Sequence, residues 1–261
     1  MSFALQPVAD PVAPLARRNP VAKLGAALLF TLPLITTLDP LTPALALVIE
    51  LLLLPPFGLR YATVARRAWP LLLAGAGVLV TMVLFAADRG GTLLLDLGPF
   101  DVTTGVLVSA LGLVLRLFAI ALPGVIVFAT TDPTDLADAL VQNARAPARF
   151  AIGALAAFRL LPLLGSEWQT LTLARRARGV DTGVRGFPAT AFALLVGALR
   201  RGGRLAVAMD ARGFDSAVPR TYARRQTFTT ADVLLMAGAV VLAAAVLTTT
   251  VLTGLFRPIT S

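Results

Sequence analysis

The chain has 261 residues, of which 57% are hydrophobic and only 14% are charged, and its mean hydropathy is +0.83. This composition excludes an ordinary soluble domain and predicts several membrane-spanning helices of about 20 apolar residues each. The lack of cysteine and histidine excludes disulfides, thiol nucleophiles and imidazole metal sites. The net charge of +9 has a topological explanation, because basic residues collect in cytoplasmic loops, so no nucleic-acid partner is expected.

The apolar stretches along the chain predict an all-α, polytopic integral membrane protein. Residues 1–129 are expected to hold four transmembrane helices, residues 130–229 an arginine-rich region outside the hydrocarbon, and residues 230–261 a fifth transmembrane helix. The segment Thr92–Thr103, which contains Gly98 and Pro99, predicts a short hairpin or an extended loop outside the membrane. The five predicted spans are Val21–Leu38, Leu41–Phe57, Pro70–Ala87, Thr104–Ala129 and Ala231–Leu255.

The arginines indicate which side of the membrane each loop occupies. When the five spans alternate across the bilayer from a cytoplasmic N-terminus, fourteen arginines from Arg145 to Arg225 fall on the inner side. The other side receives only Arg89 and Arg257. Because basic residues favour the cytoplasmic side, residues 130–229 are predicted to be cytoplasmic and the C-terminus to lie outside.

Three helices are predicted within residues 130–229. They are Thr134–Gln142, Pro147–Arg178 and Pro188–Arg212, and the last two are each apolar in the first half and basic in the second. Such helices suit an interfacial position, with the apolar half against lipid or other helices. Arg159 and an apolar run shorter than 18 residues argue against a sixth span, but six or seven spans remain an alternative.

A five-residue string occurs at the end of each of these two long helices. Ala177-Arg178-Gly179-Val180-Asp181 is repeated, with Phe214 in place of valine, as Ala211-Arg212-Gly213-Phe214-Asp215. Glycine just after a helix is a common left-handed cap, and an arginine in the last turn favours the helix dipole. Capping alone does not predict the identical aspartate. Two equivalent basic helix ends therefore predict two acidic sockets on a dimer or on two homologous subunits, because guanidinium groups pair bidentately with carboxylates.

The two Ala-Arg-Gly strings make the chain similar to a known family, the transmembrane T component of energy-coupling factor transporters. The resemblance extends through Thr131-Asp132-Pro133, and through Pro162 and Glu167 before the first string. Near the N-terminus, Asn19 and Val21 stand where the family has aspartate and arginine. The resemblance implies ATPase-binding roles for two sets of residues, namely Ala177, Arg178, Gly179 and Asp181, and Ala211, Arg212, Gly213 and Asp215.

The same resemblance implies the role of the whole protein. It implies a non-catalytic subunit, without cofactor or metal, in a bacterial cell membrane. Its expected partners are two ABC-type ATPases, a substrate-binding membrane S component and membrane lipid, and its expected cargo is a vitamin or a transition metal. The basic side chains around the two strings would speed encounter with the ATPases; they are Arg175, Arg176, Arg200, Arg201 and Arg204.

Two charges fall well inside predicted spans. Glu50 and Arg116 lie about 15 and 20 Å from the outer ends of their spans at 1.5 Å per residue. Ionisable groups at such depth need partners. We therefore expect an intramembrane ion pair that holds the second and fourth spans together, and a contact to a substrate-binding subunit is the alternative.

Rival functions rest on other charges. Asp132, Asp135 and Asp138 share one helix face and could bridge magnesium to a diphosphate, as in an intramembrane prenyltransferase. Stabilisation by the helix dipole is the favoured explanation, because the sequence shows no second aspartate cluster. A membrane scaffold that binds anionic lipid through its basic surface is the other rival. No Gly-Lys-Ser/Thr phosphate loop occurs, so ATP hydrolysis of that type needs another polypeptide.

Overall fold

A computed structural model describes residues 13–37, 39–85, 90–96, 101–180, 183–214, 216 and 221–254. Within these residues the chain divides into two compact units. We call residues 13–139 with 226–254 the bundle unit, and residues 140–225 the arginine-rich unit.

Helices make up nearly all of the secondary structure in the bundle unit. Strands β1 (Leu93–Asp96) and β2 (Asp101–Thr103) pair antiparallel before the fourth helix, which confirms the hairpin alternative for this segment, while Gly98 and Pro99 of the predicted turn lie outside the described residues. The helices are α1 (Pro20–Leu34), α2 (Leu41–Leu53), α3 (Tyr61–Phe85), α4 (Thr104–Thr130), α5 (Pro133–Gln142), whose last three residues belong to the arginine-rich unit, and α8 (Thr230–Leu252).

Local sequence explains where these helices begin. The Asn19 side chain accepts from the backbone N–H of Val21 at 2.9 Å, and Pro20 occupies the first turn of α1, where no N–H is needed. Thr103 caps α4, and Thr229 forms a capping box with Asp232 at the start of α8. Side chains of four helices then meet in one core, formed by Phe30, Leu34, Ala46, Ala119, Ala243 and Val246.

The number and depth of the spans are where the structure differs from the five predicted. Four helices are long and apolar enough to cross a membrane by length and composition: α3, α4, α8 and α6 (Ala148–Ala177) of the arginine-rich unit. Arg159 does not exclude α6, because an 18-residue window of this helix holds no more than two charged residues. Helices α1 and α2 have 15 and 13 residues, about 22 and 20 Å, which is short of the roughly 30 Å of hydrocarbon.

The turn between α1 and α2 is seated against the middle of α4. Gly112 packs so closely on Pro40 that a Cβ at this glycine would lie 3.2 Å from the proline Cβ. Arg116 donates a hydrogen bond to the carbonyl of Ile35. These contacts lie about 12 to 18 Å inside the start of α4. The α1–α2 hairpin therefore turns back about halfway along α4 and does not reach the level at which α4 begins. The start of α1 and the end of α2 lie at the same end of the bundle, as they would if both helices crossed the membrane fully.

The arginine-rich unit contains the two long helices that carry the repeated strings. They are α6 (Ala148–Ala177) and α7 (Phe187–Asp210), joined through a short 3-10 turn at Val184–Gly186. Together with α5, they confirm the three helices predicted between residues 130 and 229 to within two residues at each end. No residue of α6 is fully buried, and large apolar side chains such as Phe150 (70%) and Phe192 (67%) are exposed.

Candidate functional site

The ends of α6 and α7 adopt the same backbone geometry. At the end of α6 the N–H of Gly179 donates to the carbonyl of Arg176 at 3.0 Å, and that of Val180 donates to Arg175 at 3.0 Å. At the end of α7, Gly213 donates to Asp210 at 2.8 Å and Phe214 donates to Met209 at 3.1 Å. Both pairs have the hydrogen-bond pattern of a Schellman cap. Each arginine of the repeated string therefore holds the same position, the last residue before the glycine.

Each glycine is needed for its backbone conformation rather than for space. The φ angles of Gly179 and Gly213 are +70° and +72°, in the left-handed region that L side chains rarely adopt. A Cβ at Gly179 would meet no atom within 4 Å, and one at Gly213 would make only ordinary contact with Ser216. The capping interpretation of the two glycines is thus confirmed, and it holds for both strings.

The caps present their arginines to solvent. Arg178 and Arg212 are both exposed, as are Ala177 and Ala211 beside them. Neither guanidinium has a hydrogen-bond or ion-pair partner among the residues that the structure describes. An exposed guanidinium offers several donors in a geometry that suits a carboxylate. Asp181 and Asp215, the last residues of the strings, lie outside the described residues.

Contacts between α6 and α7 show that the two helices cross. Glu167 forms an ion pair with Arg201, with a second N···O distance of 3.2 Å. The ring of Trp168 packs on Phe187, with centroids 5.2 Å apart. Phe187 and Arg201 are about 21 Å apart along α7, yet they contact neighbouring residues of α6. Helix α7 therefore passes across α6 instead of running along it.

The other predicted basic residues have different surroundings. Arg201 is held by Glu167, and its side chain is 29% exposed. The Nε of Arg175 is buried without a hydrogen-bond partner in the described structure. Arg176, Arg200 and Arg204 are largely exposed on the same helices as the strings. One member of the predicted basic surround is therefore a bridge between helices.

The predicted ion pair between Glu50 and Arg116 is not formed, and this prediction was wrong. Arg116 donates to the carbonyl of Ile35, whereas neither carboxylate oxygen of Glu50 has a hydrogen-bond partner among the described residues. Counting residues along two helices gives depth but not the side to which each residue points. Because the α1–α2 turn lies at the level of Arg116, this side chain donates its hydrogen bond to the nearer backbone carbonyl of Ile35.

The three aspartates of the prenyltransferase alternative do not assemble into a metal site. Asp132 accepts from the N–H of Thr134 at 2.7 Å and so caps α5, while Asp135 accepts from Gln226 at 3.5 Å. Within the described residues, no group of three carboxylates lies close enough to hold a metal ion. Helix capping accounts for Asp132 without a diphosphate substrate.

A buried polar cluster near the starts of α1 and α8 is not predicted by the sequence. Lys23, only 3% exposed, donates to the carbonyl of Thr130 at the end of α4 at 2.9 Å. The backbone N–H of Asn19 donates to Asp232 at 2.9 Å, and the Asn19 side chain donates to Thr227 at 3.2 Å. This cluster ties the starts of α1 and α8 to the end of α4. A lysine beside an asparagine N-cap is visible in the sequence, but no local pattern indicates a partner more than 100 residues away.

Comparison with known proteins identifies the family. A family model described as cobalt transport protein, CbiQ, matches residues 11–223. The chain is 33% identical over 186 residues to the energy-coupling factor transporter transmembrane protein EcfT of Limosilactobacillus fermentum, which covers 66% of this chain and 69% of that protein. It is 28% identical over 212 residues to EcfT of Bacillus subtilis, and this match covers 74% of this chain and 80% of that protein.

A third similarity is to a longer protein of Bifidobacterium longum, whose given name describes an ABC transporter ATP-binding protein. The identity is 27% over 235 residues, which cover 85% of this chain but only 30% of that protein. The resemblance carried by the two Ala-Arg-Gly strings is confirmed by these relatives and by the family model, whose matched residues 11–223 include both repeated helix ends. The chain therefore belongs to the family of transmembrane components of energy-coupling factor transporters, multi-pass proteins of the bacterial cell membrane.

Proposed function

We propose that the chain couples two cytoplasmic ABC-type ATPases to a substrate-binding membrane S component. The observation that carries this proposal is the pair of identical capped helix ends, each with an exposed arginine beside a left-handed glycine. Two equivalent helix ends suit two binding sites, or sockets, that are identical or homologous. Carboxylates suit these sockets, because a guanidinium fork binds them bidentately. ABC-type ATPases acting as a pair would supply one socket each.

The crossing of α6 and α7 suggests how motion would be transmitted. Glu167 and Arg201 join the two helices about 16 Å before their capped ends. When the two ATPases close on ATP, the two helix ends would be drawn together, and the crossed pair would turn about this joint. Exposed apolar residues on the first halves of both helices would pass that turn to the S component.

The similarity to the B. longum protein supports an ATPase partner. In that protein a region resembling 85% of this chain belongs to a polypeptide named for ATP binding. Two regions that belong to one polypeptide are permanently associated, which supports a stable association of this chain with a separate ATPase. The basic scaffold alternative accounts neither for this similarity nor for two matched caps.

Orientation and cargo complete the proposal. The N-terminus and the arginine-rich unit would be cytoplasmic and the C-terminus outside, because the arginines are segregated by the positive-inside rule. The α1–α2 hairpin leaves this orientation unchanged, since both its ends stay on one side. Helix α6 would lie in the interface instead of crossing, because a span there would place Arg200, Arg201 and Arg212 outside the cell. The cargo would be a vitamin or a transition-metal micronutrient, and its identity would be set by the S component.

Co-purification from membranes tests the proposal. The variant carrying Arg178→Ala and Arg212→Ala should insert normally but lose the ATPases, because each change removes a charged anchor while leaving the cap intact. The matched control carries Arg185→Ala and Arg225→Ala, which remove the same charge from exposed positions outside the strings. Full retention of the ATPases by the first variant would refute the anchoring role.

A further inference from the structure

The bundle unit contains a cavity of about 490 Å³ between α1, α2, α4 and α8. This volume lies within the range of sites that bind small molecules and cofactors. Most of its lining is aliphatic or aromatic, but three charged residues also line it, Arg18, Lys23 and Glu50. A largely apolar cavity with a few charged groups suits an amphiphilic ligand.

Among the described charged residues that line this cavity, Glu50 is the one without a hydrogen-bond partner. The residue is 6% exposed, and both carboxylate oxygens are buried without a hydrogen-bond partner among the described residues. Buried carboxylates are normally hydrogen-bonded or paired with a charge, because an unpaired one is costly. Glu50 lines the cavity, and a rotation of its side chain toward the open space would let a ligand there supply the missing donor.

The charged groups and the apolar lining occupy different levels of the cavity. Lys23 lies in the first turn of α1 and Glu50 in the last turn of α2, so both are near the end at which α1 starts. Arg18 precedes the N-cap of α1 and donates through its Nε to the carbonyl of Pro14 at 3.3 Å. The lining continues to Phe30 and Leu242, about 10 Å beyond Lys23 along α1 and about 16 Å beyond Ala231 along α8. One end is therefore polar, and the remainder is apolar.

We propose that this cavity binds one phospholipid whose headgroup carries both a phosphate and a primary ammonium group. The ammonium would donate to Glu50, and the phosphate would accept from Arg18, whose guanidinium has donors beyond the one used on Pro14. One acyl chain would lie along the apolar lining toward Phe30 and Leu242. Glu50 favours a headgroup with an ammonium over a purely anionic one, because its carboxylate repels a further negative group and needs a hydrogen-bond donor, while Lys23 already donates to Thr130.

Lipid binding to the full chain in detergent tests this assignment by native mass spectrometry. The probes are dioleoyl phosphatidylethanolamine, phosphatidylcholine and phosphatidylglycerol. Phosphatidylcholine keeps the phosphate and the positive charge but has no N–H donor, and phosphatidylglycerol has no ammonium. The wild-type chain should bind phosphatidylethanolamine about tenfold more tightly than either of the others, as expected for a hydrogen bond to a charged group.

Three variants separate the contributions of the ammonium, the phosphate and the acyl chain to lipid binding. Glu50→Gln should weaken phosphatidylethanolamine to the level of phosphatidylcholine and leave the other two lipids unchanged. Arg18→Gln should weaken all three, because all carry a phosphate. Gly238→Leu should also weaken all three by filling the cavity, since its Cβ would meet no atom within 4 Å, and Gly77→Leu is its matched control on α3, equally unobstructed and outside the lining.

Several results would overturn the assignment. Wild-type affinities for the three lipids within twofold of one another would do so, and so would a Glu50→Gln variant that keeps the preference. Equal competition by soluble phosphoethanolamine would show that the acyl chain contributes nothing. If Glu50→Gln does not fold, the wild-type preference together with the Gly238→Leu and Gly77→Leu pair decides the question.

Discussion

Glu167 and Arg201, which form the ion pair between α6 and α7, hold equivalent positions in the two helices. Each lies eleven residues before the arginine of its own string, and the two are 34 residues apart, as are Arg178 and Arg212. The joint between the helices is therefore equally far, about 16 Å, from both capped ends. Under the proposed coupling, equal displacement of the two ends would therefore produce a symmetrical turn about this ion pair.

The crossing itself can be tested with paired cysteines, because the chain has no cysteine of its own. Two pairs, Glu167→Cys with Arg201→Cys and Trp168→Cys with Phe187→Cys, should both be joined by a short thiol cross-linker, as detected by altered mobility in denaturing gels. The pair Ala154→Cys with Arg201→Cys should not be joined. Linkage of that third pair would indicate that α7 runs antiparallel along α6 instead of crossing it.

The two caps predict an unusual response to alanine. Gly179→Ala and Gly213→Ala should each lower the free energy of unfolding by about 1 to 2 kcal/mol, because alanine is strained at φ near +70° although its methyl group has room. Replacement by asparagine should cost less, since asparagine tolerates this region. Thermal unfolding in detergent measures both effects.

Gly202→Ala is the internal control for these cap variants. This glycine lies inside α7, and a methyl group placed on its Cα would meet no atom within 4 Å, so alanine there should slightly stabilise the helix. If all three alanine variants behaved alike, the left-handed geometry of the caps would not be the reason for the two glycines.

Lys23 provides a chemical probe, because it is the only lysine in the chain. At 3% exposure and with its ammonium donating to Thr130, it should resist amine-reactive reagents until the protein unfolds. Lys23→Met should lower the free energy of unfolding by about 1 to 3 kcal/mol, because it leaves a buried carbonyl without its donor. Rapid labelling of Lys23 in the folded protein, measured by peptide mass spectrometry, would contradict the buried contact.

Because Glu50 and Arg116 do not interact, substitutions at the two positions should have additive effects on stability. Glu50→Gln and Arg116→Gln should change the free energy of unfolding independently, and the double variant should equal their sum within about 0.5 kcal/mol. An ion pair would instead make the double variant less damaging than that sum. A double-mutant cycle by thermal unfolding distinguishes the two cases.

The sequence predicts local features of this fold better than distant ones. The three helices between residues 130 and 229 and both glycine caps are predictable, because proline, glycine and apolar periodicity act within a few residues. The shortened α1–α2 hairpin is not, since the contact of Gly112 with Pro40 joins segments about 70 residues apart. Glu50 and Arg116 fail as a pair for the same reason, because depth along a helix does not define which neighbour a side chain faces.

The number of ATPases bound per chain tests the central claim most directly. Native mass spectrometry of the purified complex should count two ATPase subunits on the wild-type chain, one on Arg178→Ala, one on Arg212→Ala and none on the double variant. The control with Arg185→Ala and Arg225→Ala should keep two. Two ATPases on both single variants, or any retained by the double variant, would contradict the account of two equivalent arginine anchors.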